Sequence, residues 1–110
     1  MNSRRKGKEG ELSLARKLRE YGYDCRRGQQ YSGSNGDADV VGLPGIHIEC
    51  KRVERLDLPA AMAQAARDAG GALPLVAHRR NHGEWLITMR APDWFALYSE
   101  YAAGQEMKET

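Results

Sequence analysis

The sequence predicts a single mixed α/β domain, residues 1–110, with elements in the order α-β-β-β-α-β-β-α and a mixed central sheet flanked by helices. Three observations predict it. Short β-rich runs lie between amphipathic segments of helical spacing, and Gly and Pro punctuate their boundaries. The length of 110 residues, with 41% hydrophobic and 29% charged, suits one modest core and excludes both a multidomain machine and a disordered chain.

The elements follow in order. Residues 1–8 carry Arg4, Arg5, Lys6 and Lys8 and read as a basic arm. Over residues 9–21, Leu14, Leu18 and Tyr21 recur at helical spacing and Gly22 supplies a C-terminal stop. Residues 23–27 are a short strand, and 28–36, with Ser32, Gly33, Ser34, Asn35 and Gly36, a loop. Residues 38–42 and 46–52 are β-rich and joined by Leu43-Pro44-Gly45, which predicts an antiparallel hairpin. Asp57 caps a helix with Pro59 in its first turn, running to residue 69 before Gly70-Gly71. Strands at 73–78 and 85–89 surround a polar turn. Asp93 caps a last helix reaching residue 101, and 104–110 read as a loose tail.

Seventeen Lys+Arg against fifteen Asp+Glu leave a net charge of +2, too little for a polycation. The charges are nevertheless segregated. Arg26, Arg27, Lys51, Arg52, Arg55, Arg79 and Arg80 extend the basic set, whereas residues 91–110 lean acidic. A solvated face and a nucleic-acid contact account equally well for the terminal basic run. Cys25 and Cys50 have neither disulfide-scaffold numbers nor metal-ligand spacing. With no secretory apolar stretch and no membrane-length run, the expectation is a soluble protein of a reducing cytoplasm.

The chemistry concentrates on residues 46–52. Alternation puts Ile46, Ile48 and Cys50 on one face and His47, Glu49 and Lys51 on the other. Alone, Glu49 and Lys51 read as an ordinary ion pair on a solvated strand. The hairpin changes that reading. A three-residue loop pairs Gly42 with Ile46 and sets Asp39 opposite Glu49, with Cβ atoms roughly 5 Å apart. Like charges so placed repel, and a divalent cation between them relieves the repulsion; oxygen donors favour Mg²⁺. Glu11, four residues before Ala15 and seven before Leu18, heads the apolar side of its helix, where a carboxylate needs a partner or an ion, although the helix N-terminus alone also accommodates it. A cluster of Glu11, Asp39, Glu49 and Lys51 beside a basic Gly/Ser loop is suited to phosphodiester hydrolysis.

Asp39 followed by Glu49-Cys50-Lys51 on the next strand resembles the motif of the PD-(D/E)XK nucleases, with Ala38 where the name-giving motif has proline. Asp37 shares a face with Asp39, but Asp39 is the one that reaches Glu49. Lys6-Gly7, Glu11, Tyr21-Gly22-Tyr23, Arg27, the Ser/Gly loop, Asp39-Val40-Val41-Gly42 and Ile48-Glu49-Cys50-Lys51 together are similar to the archaeal-type Holliday junction resolvases and their small phage and prophage relatives. The similarity spans residues 6–68, more loosely to 94.

This resemblance implies a restriction-endonuclease-like core and a Mg²⁺-dependent DNA endonuclease, with Mn²⁺ able to substitute, acting on branched DNA or four-way junctions as a homodimer. It implies no small-molecule cofactor and no membrane, in a bacterial, phage-infected or archaeal cytoplasm. It assigns metal binding to Asp39, Glu49, the Cys50 main-chain carbonyl and Glu11, directly or through water. Lys51 would orient or deprotonate the attacking water, and Gln64 matches a glutamine found near such sites. Arg4, Arg5, Lys6, Lys8, Arg27, Ser32, Ser34, Arg52 and Arg55 are the DNA-contact candidates. A nicking or repair nuclease and a non-catalytic DNA-binding module on the same fold are the alternatives.

The remaining candidates read more plainly. His47 is expected at the surface, and Cys50 in the core beside Ile48. His78 and His82, near Arg79 and Arg80, suit phosphate contact and solvation equally. Trp94, Phe95, Leu97, Tyr98 and Tyr101 exceed what one terminal helix needs, and either core packing or a dimer interface would use them.

Overall fold

Turn chemistry sets most element ends. A computed structural model describes residues 3–28 and 38–109, with side chains from residue 5 onward. They form α1 (Ser3–Glu20), β1 (Arg26–Arg27), β2 (Val40–Val41), β3 (Ile46–Arg52), α2 (Leu58–Asp68), β4 (Leu73–Arg79), β5 (Leu86–Met89) and α3 (Ala91–Glu109). The fold is mixed α/β, a five-stranded sheet in the order β1-β2-β3-β4-β5 with three helices. β3 and β4 run parallel, from Ile46 beside Leu73 to Arg52 beside Arg79, and the other neighbours are antiparallel. A parallel pair cannot close through a tight turn, and α2 supplies the crossover between them.

Three local devices hold these elements. α1 ends where Tyr23 N donates to Leu18 O and Gly22 N to Arg19 O, with Gly22 at φ 97, the paired bonds of a glycine-terminated helix. At Gly42, φ is 126 and an added Cβ would lie 2.4 Å from Asp24 O, so the backbone there passes too close for any side chain. Asp57 caps α2 by accepting from Ala60 N at 3.1 Å, with Pro in the first turn.

The helices run further than the local signals suggested. Residues 3–8 are the first turns of α1, not an arm, and Arg5 pairs with Glu9 at 3.3 Å. Gly10 does not interrupt that helix; it lets the sheet approach, since a Cβ there would sit 3.0 Å from Arg52 Cβ. α3 begins at Ala91, two residues before Asp93, which instead accepts from Arg90 Nε at 2.9 Å. It continues through Gly104 to Glu109, so most of the expected tail is helix, carried by helix formers such as Ala102, Ala103, Glu106, Met107 and Lys108. β1 and β2 are shorter than expected. Cys25 N turns back to Tyr23 O at 2.8 Å, which takes residues 23–25 out of the sheet.

Each sheet face has its own helix. Leu14, Ala15, Cys25, Val40, Ile48, Cys50, Leu75 and Ala77 form the core under α1. Ala61, Ala65 and Val76 form a smaller one under α2. Ile48 and Cys50 therefore face α1, and the alternate residues His47 and Glu49 are carried to the α2 side. No helix among the described residues is long and apolar enough to cross a membrane.

Candidate functional site

The β2–β3 hairpin builds the site. Val40 pairs with Ile48, which sets Asp39 against Glu49 in the next step of the register. Asp39 is held at both ends: its N–H donates to Ile48 O at 2.9 Å and its Oδ2 accepts from Cys50 N at 2.8 Å. Glu49 is only 4% exposed and hydrogen-bonds through its side chain to Asp39. Burial first, then the charge of Asp39 and that hydrogen bond, push the Glu49 carboxyl up to about 8, against the opposing pull of Lys51.

Glu11 reaches the cluster from α1. Its side chain is 12% exposed and accepts from Arg27 Nε at 2.6 Å. Burial raises its proton affinity, Arg27 opposes this, and Asp39 and Lys51 act on it through their charges. Asp39 thus links the two acidic groups, its charge acting on Glu11 of α1 and on Glu49 along the hairpin. Lys51 lies half-buried two residues beyond Glu49 and acts electrostatically on Glu11, Glu49 and Cys50. The Cys50 thiol is a packing group, as its strand position predicts; burial and then the Asp39 charge push it up to about 12.

The other named residues are more dispersed. Gln64 is half-buried on α2, four residues before Asp68. Arg27 is committed to Glu11, and Arg5 to Glu9 on the exposed flank of α1. Lys6 is half-buried, Lys8 and Arg55 are exposed, and Arg52 is half-buried with an Nε that has no hydrogen-bond partner. Ser32, Ser34, Asp37 and the Arg4 side chain lie outside the described residues. His78 Nε2 and Thr88 Oγ1 are hydrogen-bonded across β4 and β5 at 2.8 Å, and His82 turns the chain at φ 61.

His47 departs from its expected surface position. It is 5% exposed, because α2 covers the face of β3 on which it stands. Its Nε2 has no hydrogen-bond partner and lies 3.8 Å from Glu49 Oε2, too far for a hydrogen bond. Asp68, at the end of α2, completes a group in which one atom each of His47, Glu49 and Asp68 lie within 4.8 Å of one another. Sequence reasoning missed Asp68, yet the signal was present. Asp68 stands seven residues after Ala61 and three after Ala65, the placement on an apolar helix side that marked Glu11.

The aromatic residues of α3 are not core. Trp94, Phe95, Leu97, Tyr98 and Tyr101 are all at least 45% exposed, and none of the helix is buried. Trp94 stacks on Tyr98 with centroids 5.4 Å apart and meets Phe95 edge-on at 5.0 Å. Ile87, Thr88 and Met89 of β5 join Trp94 and Leu97 around a groove.

No family model and no curated protein matches the chain.

Proposed function

We propose that the protein is a metal-dependent endodeoxyribonuclease of the PD-(D/E)XK kind, on a restriction-endonuclease-like core, hydrolysing phosphodiester bonds in branched DNA. The observation that carries this reading is the buried contact between Asp39 and Glu49, two carboxyls held together by the hairpin register with Lys51 alongside. In a purely structural hairpin this contact is a liability. In a nuclease it is a ligand pair, and its oxygen donors fit Mg²⁺.

Asp39 and Glu49 would hold the ion, with the Cys50 carbonyl and Glu11 contributing as the resemblance implies. When bound, such an ion polarises the phosphoryl oxygen and lowers the pKa of a water. Lys51 then orients the attacking water and offsets the charge that gathers on the phosphate. Arg27 keeps the Glu11 carboxylate aimed into the cluster through its 2.6 Å bond. Of the DNA-contact candidates, Lys6, Lys8, Arg52 and Arg55 are the described ones that no ion pair holds, and they are left to meet DNA phosphates.

The test offers the protein a four-way junction, a linear duplex and a single strand, each with Mg²⁺ and with EDTA. The junction should be cut with Mg²⁺ and left whole in EDTA. Equal cutting in EDTA overturns the metal dependence, and binding without cutting of any substrate overturns the enzyme in favour of a binding module.

A symmetric junction needs two cutting sites, and α3 supports a homodimer as the arrangement that provides them. Trp94, Leu97, Tyr98 and Tyr101 share one side of the helix, and an isolated helix gains little from such a stripe left in water. Sedimentation of the wild type should report two chains. The double substitution Trp94→Glu, Tyr98→Glu should report one, because each charge would be buried unpaired at the interface. A monomeric wild type at tens of micromolar, on the order of ordinary assay concentrations, overturns the dimer.

A further inference from the structure

We propose that His47, Glu49 and Asp68 form a binding site for a divalent transition-metal ion of the Co²⁺ or Zn²⁺ class, on the side of β3 covered by α2. His47 Nε2 is a buried polar atom with no hydrogen-bond partner, and buried polar groups are nearly always satisfied by protein, water or an ion. It faces a carboxylate, Glu49 Oε2, at 3.8 Å, and a second carboxylate, Asp68, closes the group to within 4.8 Å. Donors around a tetrahedral ion with bonds of about 2.1 Å lie about 3.4 Å apart, so the set must draw in by at most about 1.4 Å. Asp68, half-buried at the last residue of α2, is the least enclosed of the three.

Donor chemistry selects the ion. A hard cation such as Mg²⁺ is served by oxygen alone and gains little from an imidazole. One imidazole with two carboxylates suits the borderline first-row ions instead. Glu49 belongs both to this set and to the Asp39 pair, so its carboxylate stands between an all-oxygen side and a nitrogen-bearing side. The site shares Glu49 with the proposed nuclease pair, but His47, Asp68 and the binding of the ion need neither Lys51 nor nucleic acid.

Titrating metal-free full-length protein with Co²⁺, followed by visible absorption and calorimetry in the absence of DNA, tests the site. One tightly held Co²⁺ per chain is expected, with Mg²⁺ displacing it only at an excess of about a hundredfold or more. His47→Asn and Asp68→Asn should each weaken Co²⁺ binding by at least about tenfold. Asp68→Asn alters a half-buried helix end, so it decides the matter even if His47→Asn fails to fold. Absence of Co²⁺ binding, equal competition by Mg²⁺, or undiminished binding in Asp68→Asn overturns the proposal. Any of these leaves the junction-cutting test untouched, and failure to cut DNA leaves this one untouched.

Discussion

Lys51→Ala should lower DNA cleavage by at least about 10²–10³-fold while leaving junction binding intact, and Glu49→Ala should do the same. The size of the effect follows from what each side chain does. Among the described residues Lys51 is the one ammonium that the fold holds beside the acidic pair, and its charge acts on Glu11, Glu49 and Cys50. If the proposed function holds, removing this preorganised positive group loses stabilisation that exists only in the transition state. Glu49→Ala removes half of the carboxylate pair and with it one of the proposed ion's ligands. Neither change should unfold the chain. Lys51 is half-buried near the end of β3, and Glu49→Ala leaves Asp39 with its own bonds to the Ile48 carbonyl and the Cys50 N–H. Single-turnover cleavage and binding measured on the same junction check this. Cleavage that survives both substitutions ends the assignment of the site.

The second large effect concerns pH and the metal-free protein. The Glu49 carboxyl is pushed up to about 8 in the folded chain from an ordinary value of 4.5. A raised carboxyl favours folding while neutral, so its contribution is complete below the ordinary value. It falls as pH climbs above that value and is gone once pH passes about 8. The slope can reach about 1.4 kcal/mol of unfolding free energy per pH unit across that window. Glu11 is raised as well and adds a decline of the same sign. Glu49→Gln keeps a neutral group against Asp39 and has no proton to lose. Urea unfolding in EDTA between about pH 5 and about pH 9 should show the wild type weakening steadily and Glu49→Gln weakening much less. Parallel curves for the two proteins would show that the Glu49 proton is not what the fold retains.

Much of this cluster was legible from local pattern. The three-residue Leu43-Pro44-Gly45 loop defines which residue of β2 meets which residue of β3, and the observed pairing of Val40 with Ile48 is the one it predicts. Alternation then separates Cys50 from Glu49, and helix spacing brings Glu11 to the buried side of α1. The stop at Gly22 and the cap at Asp57 were equally readable, since each depends on a few neighbouring bonds.

Residues whose surroundings come from distant segments were not legible. His47 looked like a surface histidine because its strand shows only that it shares a side with Glu49. Its burial depends on α2, which begins eleven residues later. Asp68 becomes a neighbour of His47 only because the β3–α2–β4 crossover folds the helix end back over the strand. The aromatic residues of α3 have a helical spacing that suits a core and an interface alike, and only packing decides between them.

By itself, then, the sequence determined the mixed α/β class, the hairpin register and the meeting of Asp39 with Glu49, because period, turn length and capping act over a few residues. Tertiary structure alone decided that Glu49 is buried with its carboxyl pushed up, that His47 and Asp68 join it, and that α3 packs none of its rings into the chain's own core. Those outcomes depend on which element covers which face, and that free energy belongs to contacts between segments far apart along the chain.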